Sequence, residues 1–323
     1  MKRRDFIQIA SGALAASALP AARADELRPG ITLLVGFPPG GPTDGMARAL
    51  AEPLRESLRS PLIVENRTGA GGRIAVTAAI RAPATGRTLL LTPGAMITIH
   101  PHLYPELPHD PLALLAPIAL IGTTDLSIAV AADHPARNID DLIRWFRQNA
   151  AVATCGTSGV GSVAHLVAAE MASKTGAAAT LVHYRGALEE VTAIMEGSLK
   201  AAVVVPWIAL PFQRAGKIRV LATTGPSRSS VFGDVSTMRE SGIDVVAREW
   251  AGLFAPATTP PEALAAIGAA VKAALAMPPV RTSFAKHGLD PGMAMHADFG
   301  AFVRADYEHW GQIVKRAGIK VES

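Results

Sequence analysis

One unit constrains this chain more than any other feature, because it occurs twice. The apolar run Ile31-Thr-Leu-Leu-Val-Gly-Phe37 leads into the turn-rich loop Pro38-Pro-Gly-Gly-Pro-Thr43. Met46, Leu50, Leu54 and Leu58 then follow at a spacing of four. A short apolar run bounded by turn residues reads as a buried strand, and apolar side chains every three or four residues mark one helix face. From Ala151 the order repeats, with a strand over 151–155, the loop Gly156-Thr-Ser-Gly-Val-Gly161, and a helix from Ser162 carrying Leu166, Ala169 and Met171. Further strands are expected over 62–65, 88–92, 180–184, 201–205 and 218–223. Helices are expected over 74–82, 140–148 and 187–196. Alternating strands and helices give doubly wound parallel sheets, and two starting points give two α/β lobes around a central cleft. Pro53 should kink the first helix. Thr259 before Pro260-Pro261 reads as a helix cap, and a second long C-terminal helix is expected over 297–316. Extended stretches over 127–132 and 247–254 would cross between the lobes. The first lobe is then 25–126 plus 248–323, and the second is 127–247.

The first residues argue export. Lys2-Arg3-Arg4 precedes an apolar stretch from Ile9 to Leu19, and Ala22-Arg23-Ala24 is a small-residue cleavage signature. That apolar stretch is far shorter than the ~20 residues a membrane-spanning helix needs, so residues 1–24 read as a leader cut after Ala24. Arg3-Arg4 with Phe6 resembles a twin-arginine signal; the general secretory route is the alternative. The leader holds four of the 31 basic residues and one of the 27 acidic ones, which leaves 27 against 26. The mature chain is close to neutral and shows no clustered basic residues interleaved with aromatics, so nucleic acid is not an expected partner. A single cysteine, Cys155, excludes an internal disulfide and reads as a buried small hydrophobe.

Several blocks carry a more specific signal. Val35-Gly-Phe-Pro-Pro-Gly-Gly-Pro-Thr-Asp44, Val64-Glu-Asn-Arg-Thr-Gly-Ala-Gly-Gly72, His100-Pro-His-Leu-Tyr104, Thr157-Ser-Gly-Val-Gly-Ser-Val-Ala-His165, Tyr184-Arg-Gly186 and Leu210-Pro211 occur in order across the mature chain. Together they resemble the Bug family of periplasmic receptors, which serve tripartite tricarboxylate transporters. The resemblance implies a type II periplasmic-binding-protein fold, a monomer, a small carboxylate as ligand, membrane permease subunits as partners, and no cofactor. The ligand contacts it suggests are Phe37, Pro38, Pro39, Gly40, Gly41, Thr43 and Asp44 in the first loop, and Thr92, Gly94 and Ala95 after the third strand. In the second lobe they are Ser158, Gly161, Ser162 and His165, then Tyr184, Arg185 and Gly186, and finally Trp207. Departures cluster near residues 197–211: Lys200 and Val204 stand where family members commonly carry acids, and Trp207 where a small polar residue is common. Trp207 either lines the pocket, favouring an aromatic or hydrophobic acid, or packs inside its lobe.

These residue types suit anion capture on independent grounds. A loop running from a strand end into a helix N-terminus presents free backbone N–H groups and the positive end of the helix dipole. Glycines let that backbone approach a ligand closely. Asp44 either caps its helix or, as the acid that the resemblance implies at this place, shapes its loop, and the doublets Asp140-Asp141 and Glu189-Glu190 read as solvated helix faces. Other classes fare worse. Ser162 and His165 could pair as in a hydrolase, but Gly156-Thr-Ser-Gly-Val160 fails the nucleophile-elbow pattern at its last position. Gly159-Val-Gly-Ser-Val-Ala164 formally fits a dinucleotide loop, without the acid expected ~20 residues on. His100, His102 and His109 read as loop residues among prolines and lack metal-ligand spacing. A type II receptor serving an ABC transporter or a sensor kinase remains the nearest alternative.

Overall fold

The computed structural model describes residues 30–104 and 106–317, so the expected leader lies outside the described residues. The first half opens with β1 (Ile31–Val35), α1 (Pro42–Leu58), β2 (Leu62–Asn66), α2 (Arg73–Ile80) and β3 (Thr88–Pro93). Three short helices follow, α3 (Ala95–Thr98), α4 (His100–Leu103) and α5 (Pro111–Leu114), then β4 (Leu115–Asp125). The chain next builds β5 (Ser127–Ala131), α6 (Ile139–Gln148), β6 (Thr154–Thr157), α7 (Val163–Thr175), β7 (Thr180–His183), α8 (Ala187–Met195), β8 (Ala201–Val204), α9 (Pro206–Arg214) and β9 (Ile218–Thr223). It ends with β10 (Arg248–Pro256), α10 (Pro261–Ala276), α11 (Pro278–Lys286), β11 (Asp290–Pro291) and α12 (His296–Ala317). Among the described residues no single helix is long and apolar enough to cross a membrane.

The strands form two sheets, ordered β11-β4-β10-β3-β1-β2 and β7-β6-β8-β5-β9. In the first, β1 runs parallel to β2 and β3, while β10 lies antiparallel between β3 and β4. In the second, β6 runs parallel to β7 and β8, while β5 is antiparallel to β8 and β9. The α/β class expected from the alternating pattern is what forms. The chain passes from one sheet to the other through Leu126 and returns after β9. Thr224 ties the two passages together: its N–H donates to Leu126 O (2.9 Å), its Oγ1 donates to Ala247 O (2.7 Å), and the Leu126 N–H donates to Thr224 Oγ1 (2.9 Å). Beside this junction Arg248 Nε bonds Asp125 Oδ1 at 2.8 Å.

This register settles which ends face each other. Ser127, the first residue of β5, pairs with Val204, the last of β8, so the C-terminal ends of β6 and β8 lie at the junction. Arg248 pairs with Asp125 at the same junction, and Pro93, the last residue of β3, pairs with Ala251 close by. The loops leaving β1 and β3 therefore approach those leaving β6 and β8. One apolar cluster spans both halves, including Leu103, Trp250 and Trp310 from the first and Val163, Leu166 and Met171 from the second.

Three local expectations need correction. β6 starts at Thr154 rather than 151, because the Val152 and Ala153 N–H groups turn back onto Asn149 O and close the end of α6. Thr259 does not cap α10; Pro260 holds the N-cap position with no side-chain bond, and the Thr259 hydroxyl is buried without a partner. His100 and His102 belong to the short helix α4 instead of a loop. No strand was expected over 115–125, where β4 forms around Pro117, a residue without an N–H for the ladder. Pro117 pairs with Phe254, and the register breaks between Leu253 and Phe254, which accommodates its missing N–H.

Candidate functional site

The first loop is held from inside by Asp44. Its carboxyl is buried, at 1% exposure. Oδ2 accepts the Gly40 N–H (2.9 Å) and Arg48 Nε (2.8 Å), and Oδ1 accepts Asn66 Nδ2 (3.0 Å). Asn66 Nδ2 also donates to Phe37 O at 2.9 Å, which joins the loop to the end of β2. Burial raises the cost of the Asp44 charge, but the bonds from Arg48, Gly40 and Asn66 outweigh it and hold the carboxyl below its ordinary range. Gly40 takes the left-handed backbone conformation (φ 83°) and has open space on its Cα, so this turn is free to approach a ligand. Pro38, Pro39 and Gly40 are exposed; Phe37 is half-buried, its ring against Gly72. Thr43 is buried in the first turn of α1. Thr92 is buried near the end of β3 and Gly94 and Ala95 just after it, and the Gly94 N–H donates to Trp250 O at 2.8 Å.

The second loop is a capping structure. Ser162 is the N-cap of α7: its Oγ accepts the His165 N–H (3.1 Å) and donates to Gly159 O (2.8 Å). His165 Nδ1 accepts the Gly161 N–H at 3.1 Å, and the ring stands edge-on to His183, 4.6 Å between centroids. Burial and the nearby His183 push His165 down to about 4, so its imidazole is neutral at pH 7. Ser162 Oγ makes no bond to the His165 ring, so the two do not form a nucleophile–base pair. Ser158 is half-buried, and the Tyr184 N–H donates to Thr157 O (2.9 Å), which sets the Tyr184–Arg185–Gly186 loop beside it. The Arg185 side chain is exposed.

The halves meet at two places. A Cβ on Gly161 would lie 2.5 Å from Leu103 Cδ1 and 3.3 Å from the His100 ring, so the second loop seats on α4. His100 is 2% exposed with Nδ1 unpartnered, and burial drives it down to about 3. On the other side, Trp207 in the first turn of α9 stacks on His287, 3.6 Å between centroids and 22° between planes. A Cβ on Gly45 of α1 would come within 2.3 Å of the same indole. Trp207 thus packs neither in its own half nor alone; it reaches the first half beside the loop that Asp44 holds.

The comparisons with known proteins agree with this architecture. The family model for the tripartite tricarboxylate transporter family receptor matches residues 46–319. The chain belongs to that receptor family. The receptor is 32% identical to protein BugT of Bordetella pertussis over 294 residues, 90% of each chain. It is 31% identical to the protein of the gbd 5' region of Cupriavidus necator over 330 residues, 99% of each. Among solved structures, MatC from Rhodopseudomonas palustris with bound malate superposes at TM-score 0.82 and 27% identity, covering 88% of the receptor and 98% of that chain. An R. palustris protein with adipate gives 0.86 and 28%, covering 90% and 98%. Periplasmic binding protein BugD gives 0.83 and 27%, covering 90% and 98%.

In this receptor most of the sequence-derived residues lie in or beside the loops that leave β1, β3, β6, β7 and β8. Arg185 stands out at the surface, and Asp44 spends its carboxyl oxygens on loop donors. Sequence reasoning missed Gly45, His100, Leu103 and His287, which matter through contacts between halves that no local pattern announces. It also misread Glu190. Glu189 is solvated, but Glu190 is 0% exposed with neither carboxyl oxygen bonded, because its side chain turns inward from the first turn of α8 toward Gly156. Among the described residues no group of three or more His, Cys, Asp or Glu could hold a metal ion.

Proposed function

We propose that this receptor captures a small carboxylate between two lobes, 25–126 with 248–323 and 127–247, and delivers it to membrane permease subunits without transforming it. One observation carries the reading: two glycine-bearing loops, each running from a strand end into a helix N-terminus, face each other across the junction at Leu126 and Thr224. Such loops offer backbone N–H groups and positive helix ends to an anion without burying a lysine. The relatives holding malate and adipate support a carboxylate, and the family match favours a tripartite transporter over an ABC transporter or a sensor kinase. Gly40, Gly41, Thr43, Ser158, Gly161 and Ser162 are the contacts to test first. Trp207 serves closure rather than selection of an aromatic acid, since His287 covers one indole face and Gly45 its edge. Removal of residues 1–24 after Ala24 would release the receptor into the periplasm.

The test is a thermal-shift screen of residues 25–323 against aliphatic, amino-acid and aromatic carboxylates. A ligand bound only by the folded state raises the melting temperature by mass action. A shift with one class, the acid being recovered unchanged, supports the receptor. No shift with any carboxylate removes the reading.

A further inference from the structure

We propose that the ligand carries a positively charged nitrogen besides its carboxylate, and that Glu190 and Glu249 receive that nitrogen. The proposal rests on the receptor reading above and narrows its substrate class. Glu190 is completely buried and both its carboxyl oxygens lack any hydrogen-bond partner. It lies in the first turn of α8, the helix that leaves the Tyr184–Gly186 loop, with its Cγ 3.5 Å from where a Cβ on Gly156 would stand. Gly156 is the penultimate residue of β6, so Glu190 sits just behind the strand end that feeds the second loop. Glu249 is the second residue of β10, paired with Thr124 next to the interlobe junction. It keeps part of its surface open, and no described residue hydrogen-bonds or ion-pairs with its carboxyl.

Glutamates are almost never fully buried without a partner, because desolvating the group is costly. A leucine or glutamine would fill the Glu190 position without that penalty. The surroundings supply no compensation. Glu249 from β10, Glu189 from the same helix, Cys155 on β6 and Tyr184 before α8 are the ionisable groups that interact with Glu190, and none is a cation. Burial first, then the charges of Glu249 and Glu189, push Glu190 up to about 8; burial pushes Glu249 up to about 7. The Glu190 carboxyl thus has both acceptor oxygens vacant and feels the charge of the Glu249 carboxyl, with no cation among the groups that act on it. A divalent ion would require more oxygen ligands than two carboxyls supply, and no three-residue metal cluster exists among the described residues. An ammonium group, with three N–H donors on one compact charge, matches two carboxylates.

A proton balance follows. Without ligand at pH 7, Glu190 holds its proton; an ammonium beside it favours the ionised carboxylate, so that the proton leaves to solvent as the charge pair forms. If Glu190 instead donated its O–H to a ligand carboxylate, no proton would be released.

The experiment is calorimetry on residues 25–323 at pH 7, in two buffers of different ionisation enthalpy, with matched pairs: glutarate against glutamate, butyrate against γ-aminobutyrate, and hydrocinnamate against phenylalanine. In at least one pair the amine-bearing member should bind about tenfold tighter or more, as expected of hydrogen bonds to a charged group, with net proton release. Glu190→Gln and Glu249→Gln, which keep the side-chain volume, should each cut that preference to about threefold or less while affinity for the plain acid stays within a few-fold. Equal or tighter binding of the plain acids by the unaltered receptor, preference retained in both variants, or binding without proton release overturns the proposal. Failure of every compound would remove the carboxylate-receptor reading with it, whereas plain acids bound without preference would remove this proposal alone.

Discussion

Trp207 allows the closed arrangement to be tested with a single carbon atom. Its indole crosses from α9 to the first half, stacks on His287, and occupies the space that glycine leaves at position 45. An aromatic side chain buries roughly 150–250 Å². Assigning ~100 Å² of that to the opposite half gives about 2.5 kcal/mol at ~25 cal/mol/Å². The stack adds roughly 0.5–1.5 kcal/mol. About 3 kcal/mol of closure energy corresponds to roughly two orders of magnitude in the closed-to-open ratio. A ligand that binds only the closed form loses affinity in proportion to the loss of that form. Trp207→Ala should therefore weaken binding by about 10- to 100-fold, and Trp207→Phe, which keeps a ring, by far less. Gly45→Ala is the sharper perturbation. Its methyl carbon would stand 2.3 Å from Trp207 Cζ2, far inside contact distance, so the indole must leave its stack. Yet alanine is the better helix former by about 1 kcal/mol, so α1 itself should not suffer. The expected signature is weakened ligand binding by calorimetry with denaturant stability of the unliganded protein unchanged or raised. Wild-type affinity in both Gly45→Ala and Trp207→Ala would refute the idea that this contact holds the halves together.

Glu190 should make stability fall as pH rises through its folded value of about 8, since the folded chain keeps a proton that the unfolded chain releases near 4.5. Between pH 7.5 and 8.5, above the ordinary histidine value of 6.5 so that His100 and His165 are essentially neutral in both states, thermal unfolding should shift downward with pH in the unaltered receptor and less so in Glu190→Gln; parallel slopes would contradict this. Ser162→Ala removes both the cap of α7 and the bond to Gly159 O, and should cost about 1 kcal/mol by urea denaturation. Cys155 is buried and its thiol is pushed up to about 12, so a disulfide reagent at pH 8 should label it only after unfolding; rapid labelling of the native receptor would show that β6 opens.

Much of the architecture is readable because its signals are local. The run from Ile31, the loop at Pro38 and the spacing from Met46 to Leu58 each depend on neighbours in sequence, and β1 and α1 form where those signals stand. Elements and residues set by distant partners are different in kind. β4 depends on a register break opposite Pro117, supplied more than a hundred residues later by β10. Trp207 takes its meaning from Gly45 and His287, and His100 from Gly161. Glu189 and Glu190 look alike as a doublet, but one step along α8 rotates the side chain by roughly 100°, enough to send the second inward against Gly156. Asp44 was legible as a loop-shaping acid; that Arg48 and Asn66 would saturate its carboxyl was not.

The position of β10 bears on how this chain comes together. It lies inside the first sheet, between β3 and β4, yet it emerges only after the whole second sheet has been made. During synthesis β1, β2, β3 and β4 are available early, but the strand that joins β3 to β4 is still missing. The second sheet, continuous from β5 to β9, meets no such delay. The order of assembly is thus opposite to the order of translation: the later half can settle first, and the earlier half is sealed when β10 slots in. Until then β3 and β4 present open edges, the condition that favours wrong pairing and calls for a chaperone.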